Sequence, residues 1–129
     1  MARRGRVRPT DAELAILRVL WRRGPSTVRE VQEALEASQP TGYTTALKLM
    51  QIMATKGLVD RDESQRTHVY RARAGEEETQ KHLVADLLER AFGGSSHRLV
   101  MQALSTKRSS PEELQAIRRL IDELEGGQS

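Results

Sequence analysis

The sequence predicts a mainly α-helical chain with three helices, a short β-hairpin and then three more helices. Apolar residues recur at helical spacing in six segments, which are bounded by capping residues and glycines. Between the third and fourth segments the pattern changes to short β-branched and aromatic runs around a polar turn. The 129 residues include no cysteine, which excludes disulfides, zinc fingers, iron–sulfur clusters and thiol catalysis.

The first three helices are marked by their ends. Thr10-Asp11-Ala12-Glu13 is typical of a capping box, and Gly24-Pro25 ends the helix that it opens. Ser26-Thr27 opens a second helix, and a third runs from about Tyr43 to Lys56 and stops at Gly57. Their apolar stripes are Leu14, Leu17, Leu20 and Trp21, then Val28, Val31 and Leu35, then Ala46, Leu49, Met50 and Met53.

The hairpin follows directly. Residues Leu58–Glu63 and Thr67–Arg73 are predicted strands around the turn Ser64-Gln65, with His68 and Tyr70 on one strand face. Three helices followed by a hairpin is the order of a winged helix-turn-helix, which we expect at residues 9–74. Residues 1–8 carry four arginines and are predicted to form a basic arm.

Residues 75–129 are predicted to form three helices. Gly93-Gly94 ends the first, Ser95 begins the second, and Ser110-Pro111 is a strong start for the third. Each helix has one apolar side, and 55 residues are too few to close a comfortable core. We therefore expect a second copy of the chain to cover these stripes, which makes this region a dimerisation domain.

The net charge of +3 is the sum of a positive first half and a negative second half. Residues 1–74 hold 14 basic and 8 acidic side chains, a net charge of +6, whereas residues 75–129 hold 7 and 10, a net charge of −3. This asymmetry favours a polyanion-binding half beside a half with another role. No apolar run approaches membrane-spanning length and no signal peptide follows the basic start, so we expect a cytoplasmic protein without membrane contact.

The third helix carries the strongest functional signal. Thr44, Lys48, Gln51 and Thr55 share the side opposite its apolar stripe, and Thr45 flanks them near the N-terminal end. Hydroxyl, amide and ammonium groups suit phosphates and base edges, whereas a carboxylate would be repelled by phosphate. An ordinary solvated face usually mixes both signs of charge, so the absence of acid favours DNA.

Further candidates surround this helix. Tyr43 suits either a phosphate contact or a half-buried position in the core. Ser26, Thr27 and Arg29 stand at a helix start, where capping and phosphate contact are compatible. Arg66 at the hairpin turn and His68 beside it fit either a wing that touches DNA or a solvated turn.

Enzymatic and metal functions have little support. The chain lacks a HExxH motif, a nucleophile elbow, a P-loop and a dinucleotide fingerprint. Glu78, His82 and Asp86 are spaced i, i+4, i+8, which fits half of a metal site and equally fits helical charge pairing. We predict no enzyme activity, no cofactor and no metal site.

Seven segments together resemble the penicillinase-repressor family, which includes the bacterial β-lactamase, methicillin-resistance and copper-responsive repressors. The resemblance covers roughly residues 9–125 and implies a homodimeric winged-helix repressor of palindromic TACA/TGTA operators. The segments are Thr10-Asp11-Ala12-Glu13-Leu14, Val19-Leu20-Trp21, Ser26-Thr27-Val28-Arg29-Glu30-Val31, Tyr43-Thr44-Thr45, Lys56-Gly57-Leu58-Val59, Val69-Tyr70 and Phe92-Gly93-Gly94-Ser95.

The resemblance also assigns residues. The positions that match the family's DNA-contacting segments are Ser26, Thr27, Arg29, Tyr43, Thr44, Thr45, Lys48, Arg66 and His68. Those expected at the dimer contact include Leu87, Leu99, Leu120 and Leu124.

Three departures from the family pattern bear on regulation and on the wing. The chain lacks the C-terminal cysteines of the copper branch, which argues against copper sensing of that kind. Gln102-Ala103 stands where the β-lactam branch has a cleaved Asn-Phe bond, which argues against inactivation by that protease route. The protease or ligand that would inactivate the protein is therefore left open. In the wing, Gln65 replaces a frequent Gly and Ala72 a frequent Pro.

The alternative to a repressor is a winged-helix protein-interaction module without sequence-specific DNA binding.

Overall fold

The computed structural model describes residues 8–127. The predicted basic arm therefore lies outside the described residues, apart from Arg8. Within the described range the chain forms six helices and one two-stranded sheet, which confirms the predicted fold class. The elements are α1 (Asp11–Arg23), α2 (Val28–Leu35), α3 (Tyr43–Lys56), β1 (Val59–Asp62), β2 (Val69–Ala72), α4 (Glu76–Phe92), α5 (Ser96–Thr106) and α6 (Pro111–Gly126).

The hydrophobic core lies among α1, α2, α3 and the hairpin. The predicted stripe of α2 is buried in full, and in α3 Leu49 is half-buried while the rest of its stripe is buried. In α1 the buried face differs from the prediction, because Ile16 and Val19 enter the core while Leu14 and Trp21 pack at its margin. The buried apolar residues are Ile16, Leu17, Val19, Leu20, Val28, Val31, Leu35, Ala46, Met50, Met53, Val59 and Tyr70.

Capping fixes where the helices begin and end. The Thr10 and Thr27 hydroxyls accept from the backbone N–H three residues on, and Glu13 and Glu30 return the bond, so both predicted boxes form. Ser110 caps α6 in the same way. Gly57 ends α3 at φ 85°, a left-handed conformation that favours glycine.

The hairpin is shorter than predicted, and its loop is longer. Strands β1 and β2 pair antiparallel, with Val59 opposite Ala72 and Asp62 opposite Val69. Residues 63–68 form the loop, in place of a turn at Ser64-Gln65 alone. The physical reason lies at the end of β1, where the Ser64 N–H donates to Asp62 Oδ1 at 2.9 Å and turns the chain away from the ladder.

A backbone bridge joins the hairpin to the turn between α1 and α2. The Ser26 N–H donates to the Tyr70 carbonyl at 2.9 Å, and the Tyr70 N–H donates to the Ser26 carbonyl at 2.8 Å. The Trp21 indole N–H donates to the Ala74 carbonyl at 3.0 Å, which holds the segment that leads into α4 against α1. These bonds fix the wing relative to the start of α2.

The chain divides into two compact units, and the division follows Val84, inside α4. In the second unit, Gly93 and Gly94 adopt positive φ between α4 and α5, and Ser95 caps α5 as predicted. In the described range, none of the residues in α4, α5 and α6 is buried. None of the helices among residues 8–127 combines the length and the apolar character that a membrane span requires.

Candidate nucleic-acid interface

The exposed side of α3 is as the sequence predicts. Thr44, Lys48, Gln51 and Thr55 are all exposed, and Ala46, Met50 and Met53 on the opposite side are fully buried. Core packing therefore fixes the rotation of the helix about its axis and presents the polar side to the surroundings. Thr45, at the N-terminal end, is also exposed.

The start of α3 is suited to an anion. Its N-cap is Gly42, which has no side chain to bond the first-turn N–H groups, and the first turn carries no acidic residue. By contrast, α1 and α2 satisfy their first turns with capping boxes and carry acid there. Uncapped N–H groups and the positive end of the helix dipole favour phosphate at this end of α3.

Arg29 and Tyr43 form a pair beside this helix start. The Arg29 guanidinium lies 5.0 Å from the centre of the Tyr43 ring, within the range of a cation–π contact. Tyr43 is 42% exposed, so it is not a core aromatic, and Arg29 is exposed as well. The contact holds a positive charge between the starts of α2 and α3, while the guanidinium N–H groups remain able to bond another partner.

Ser26 does not fit the role expected for it. Its side chain is fully buried, and its hydroxyl donates to the Gly24 carbonyl at 2.8 Å. The bridge to Tyr70 holds Ser26 inside the domain, so its side chain is not exposed for the DNA contact expected of it. Thr27 is half-buried and caps α2 as expected.

The wing presents Arg66 and His68 on its exposed loop. His68 does not share a strand face with Tyr70 as expected, because it precedes β2 and is exposed while Tyr70 is buried. Two other arginines of the hairpin have acidic partners: Arg73 bonds Asp60 at 2.7 Å and Arg61 pairs with Glu63 at 2.6 Å. The hydrogen bond from Arg73 lowers the pKa of Asp60, so this pair stays ionised and largely cancels its own charge.

Lys56, the last residue of α3, forms an ion pair with a buried carboxylate. Its ammonium donates to both oxygens of Glu13, at 2.8 and 2.9 Å, and Glu13 is only 2% exposed. Burial alone would raise the pKa of Glu13, but the hydrogen bonds from Lys56 and from the Thr10 N–H outweigh it and lower the pKa. The pair ties the end of α3 to the start of α1.

One exposed residue of α3 was not among the sequence candidates. Ile52 is 41% exposed, although the other exposed residues on that side are polar. At about 100° per residue it lies close to Thr45 and Lys48. A helical projection that included apolar residues outside the core stripe would have found it.

The other predicted sites fall on α4, α5 and α6. Glu78 and His82 are exposed, and Asp86 bonds Arg90 at 3.4 Å. In residues 8–127 no group of three or more His, Cys, Asp or Glu residues is arranged to hold a metal ion. Gln102 and Ala103 are exposed within α5.

The residues expected at a dimer contact remain largely uncovered in the single chain. Leu87 is 46% exposed, Leu120 53% and Leu124 59%, whereas Leu99 is half-buried. Other large apolar residues of the second unit are also exposed: Val100, Met101, Leu104 and Ile121. Large apolar side chains exposed in this number are typical of a surface that meets a partner.

Comparison with known proteins decides the family. The family described as Penicillinase repressor matches residues 9–123. The chain belongs to the penicillinase-repressor family. This confirms the resemblance drawn from the seven sequence segments, and DNA-binding transcriptional repression follows as its class of function.

Individual relatives agree with this assignment. The Transcriptional regulator BlaI of Mycobacterium tuberculosis is 36% identical over 118 residues, which cover 91% of this chain and 85% of BlaI. The Penicillinase repressor of Bacillus licheniformis is 22% identical over 114 residues, covering 88% of this chain and 89% of the relative. Both are named as regulators of transcription rather than as enzymes.

A solved structure supports the fold. It is the homodimeric winged helix-turn-helix DNA-binding domain Mb0332 of Mycobacterium bovis, with a TM-score of 0.50 and 21% identity over 84% of this chain and 85% of that one. At this identity the likeness concerns the winged-helix architecture alone.

Proposed function

We propose that this penicillinase-repressor family member binds a palindromic operator of the TACA/TGTA type as a homodimer and represses transcription by occupying a promoter. The observation that carries the proposal is the acid-free, exposed side of α3, beside the Arg29–Tyr43 pair. In winged-helix and helix-turn-helix proteins this helix enters the major groove by its N-terminal end.

The candidate contacts divide by chemistry. Thr44 and Thr45 stand in the first turn of α3, where hydroxyls reach base edges or the nearest phosphates. Lys48 and Arg29 are exposed cations suited to phosphate, and Tyr43 offers a hydroxyl. Arg66 and His68 on the loop of the wing are placed for backbone contacts beside the groove.

The proposed dimer is supported by the second unit. Each of its helices exposes large apolar side chains, and among its described residues none is buried. A second copy would cover these surfaces and place two recognition helices on the two halves of a palindrome. Binding to operator DNA in the bacterial cytoplasm would exclude polymerase, and no catalytic step is required.

The experiment is a fluorescence anisotropy titration of the full chain with a TACA/TGTA palindrome and with a scrambled duplex of the same composition. We expect much tighter binding to the palindrome. Equal affinity for both duplexes would refute sequence-specific repression. Binding to neither duplex at low salt would favour the protein-interaction module instead.

A matched pair of lysine variants locates the interface. Lys48→Ala removes an exposed cation from α3, and Lys81→Ala removes one from α4. If Lys48 contacts phosphate in each half-site, the slope of log affinity against log salt becomes shallower by about 2 for the dimer. Lys81→Ala should leave the slope unchanged, and equal slopes for both variants would place the phosphate contacts elsewhere.

A further inference from the structure

Ile52 is a large apolar residue on α3 that does not pack in the core. It is 41% exposed in the penultimate turn of α3, while the core side of the same helix is formed by Ala46, Met50 and Met53. A β-branched residue is a weaker helix former than alanine, leucine or lysine, so helix propensity does not account for it. Single exposed apolar residues are common on protein surfaces, so the role of Ile52 is judged by where it lies on α3.

The position of Ile52 on the helix relates it to the candidate DNA contacts. At 100° per residue it projects about 20° from Thr45 and about 40° from Lys48. Seven residues separate it from Thr45, so it lies about 10 Å further along the helix axis. In homeodomains the recognition helix reads base edges from positions spaced i, i+3, i+4 and i+7. Thr45, Lys48 and Ile52 stand at i, i+3 and i+7 of α3.

We propose that Ile52 is a specificity-determining residue that packs against the C5 methyl group of a thymine in the major groove. The inference rests on the proposed binding of DNA by α3. The thymine methyl is the one apolar group that base pairs present in the major groove, so it is the partner that an isoleucine side chain can recognise there.

The chemistry explains how the contact selects a base. An isoleucine against a methyl group removes apolar surface of both from water, which stabilises the complex with thymine. Cytosine carries hydrogen instead of a methyl group at C5 and an amino group at C4, and the isoleucine cannot accept a hydrogen bond from that amino group. Polar neighbours such as Thr45 retain the hydrogen-bonding role, so the apolar and polar contacts specify different positions of the half-site.

The test removes the two apolar partners, the thymine methyl and the Ile52 side chain, separately and together. A duplex is first selected from a random pool with the full wild-type chain, and each thymine of its half-sites is then replaced symmetrically by deoxyuridine, which lacks only the C5 methyl. Dissociation constants are measured for the wild type, Ile52→Ala and Ile52→Val at one salt concentration.

We expect one thymine position at which deoxyuridine raises the wild-type Kd about fourfold per half-site, as burial of one methyl group predicts. Ile52→Ala should bind the thymine duplex more weakly and be nearly indifferent to deoxyuridine at that position, while Ile52→Val keeps most of the discrimination. A cost of deoxyuridine that is the same for the wild type and Ile52→Ala at every position would overturn the proposal. So would selected half-sites without thymine.

The same experiment separates this inference from the proposed function. If a defined palindrome is enriched but deoxyuridine has the same effect on the wild type and on Ile52→Ala at every position, the proposed function stands and only the role of Ile52 is refuted. Failure of the wild-type chain to enrich any sequence refutes sequence-specific binding itself, and the role of Ile52 falls with it.

Discussion

Substitution of Lys56 by methionine isolates the cost of a buried carboxylate that has lost its partner. Glu13 is 2% exposed and accepts two bonds from Lys56 Nζ, at 2.8 and 2.9 Å, as well as one from the Thr10 N–H at 2.9 Å. Breaking a fully buried ion pair costs about 3–5 kcal/mol. The Lys56 side chain is 29% exposed and Glu13 keeps the Thr10 bond, so we expect about 2–3 kcal/mol.

The assay is urea denaturation at neutral pH and fixed protein concentration, followed by the fluorescence of Trp21, the single tryptophan. The urea concentration at the midpoint of unfolding should fall, while the slope of the free energy of unfolding against urea concentration stays the same. Lys48→Met is the matched control, because Lys48 is exposed on the same helix, and it should change the free energy of unfolding by less than about 0.5 kcal/mol.

The pH dependence gives a second, independent check. The pKa of Glu13 is lowered in the folded chain, so the stability that it contributes is present above about 4.5, its ordinary value, and is lost as the pH falls through the folded pKa. In Lys56→Met, burial acts without that opposing bond and raises the pKa of Glu13. The difference in stability between wild type and variant should therefore shrink as the pH falls, beginning above pH 4.5 at the raised pKa of the variant and ending below pH 4.5 at the lowered pKa of the wild type. A loss below 0.5 kcal/mol at neutral pH, or one that does not change with pH, would refute this account.

Three further predictions concern a turn, a cap and the second unit. Gly57→Ala should destabilise the chain by about 1–2 kcal/mol in urea denaturation, because φ is 85° and the new Cβ would lie 3.0 Å from Arg73 Nη1. Gly75→Ala, which has open space, should cost less. Thr27→Ala removes the hydroxyl that caps α2 and should cost about 1 kcal/mol in the same assay; an unchanged midpoint would show that the cap is dispensable. Leu120→Asp places a charge on the exposed apolar face of α6 and should yield monomers in sedimentation velocity, and a variant that stays dimeric would contradict the proposed interface.

Local signals predicted much of the first unit. The stripe of α2, the capping boxes at Thr10 and Thr27 and the stop at Gly57 depend on residues within a few positions of one another, so sequence spacing is enough to find them. The exposed side of α3 follows from the same periodicity, because a helix that buries one stripe must present the opposite one.

Contacts between distant residues could not be predicted in this way. Ser26 meets Tyr70 across 44 positions, and a serine at a helix start has the same local sequence whether it faces a phosphate or a strand. The pair between Glu13 and Lys56 spans 43 positions, so the sequence showed only the capping role of Glu13. The wing loop was misjudged because Asp62 turns the chain through its own side chain, which a strand pattern does not reveal.

The bridge between Ser26 and Tyr70 also determines where the domain can accept extra length. It anchors β2 from the side of α2, and β1 anchors β2 from the other side, so the register of the strand is held twice. An insertion within β2 would move the buried Tyr70 to the opposite face and disrupt both pairings. An insertion among residues 63–68 would leave every one of these bonds in place. Extra length in the loop of the wing would therefore probe the proposed DNA contacts of Arg66 and His68 while the strand register and the core stay as they are.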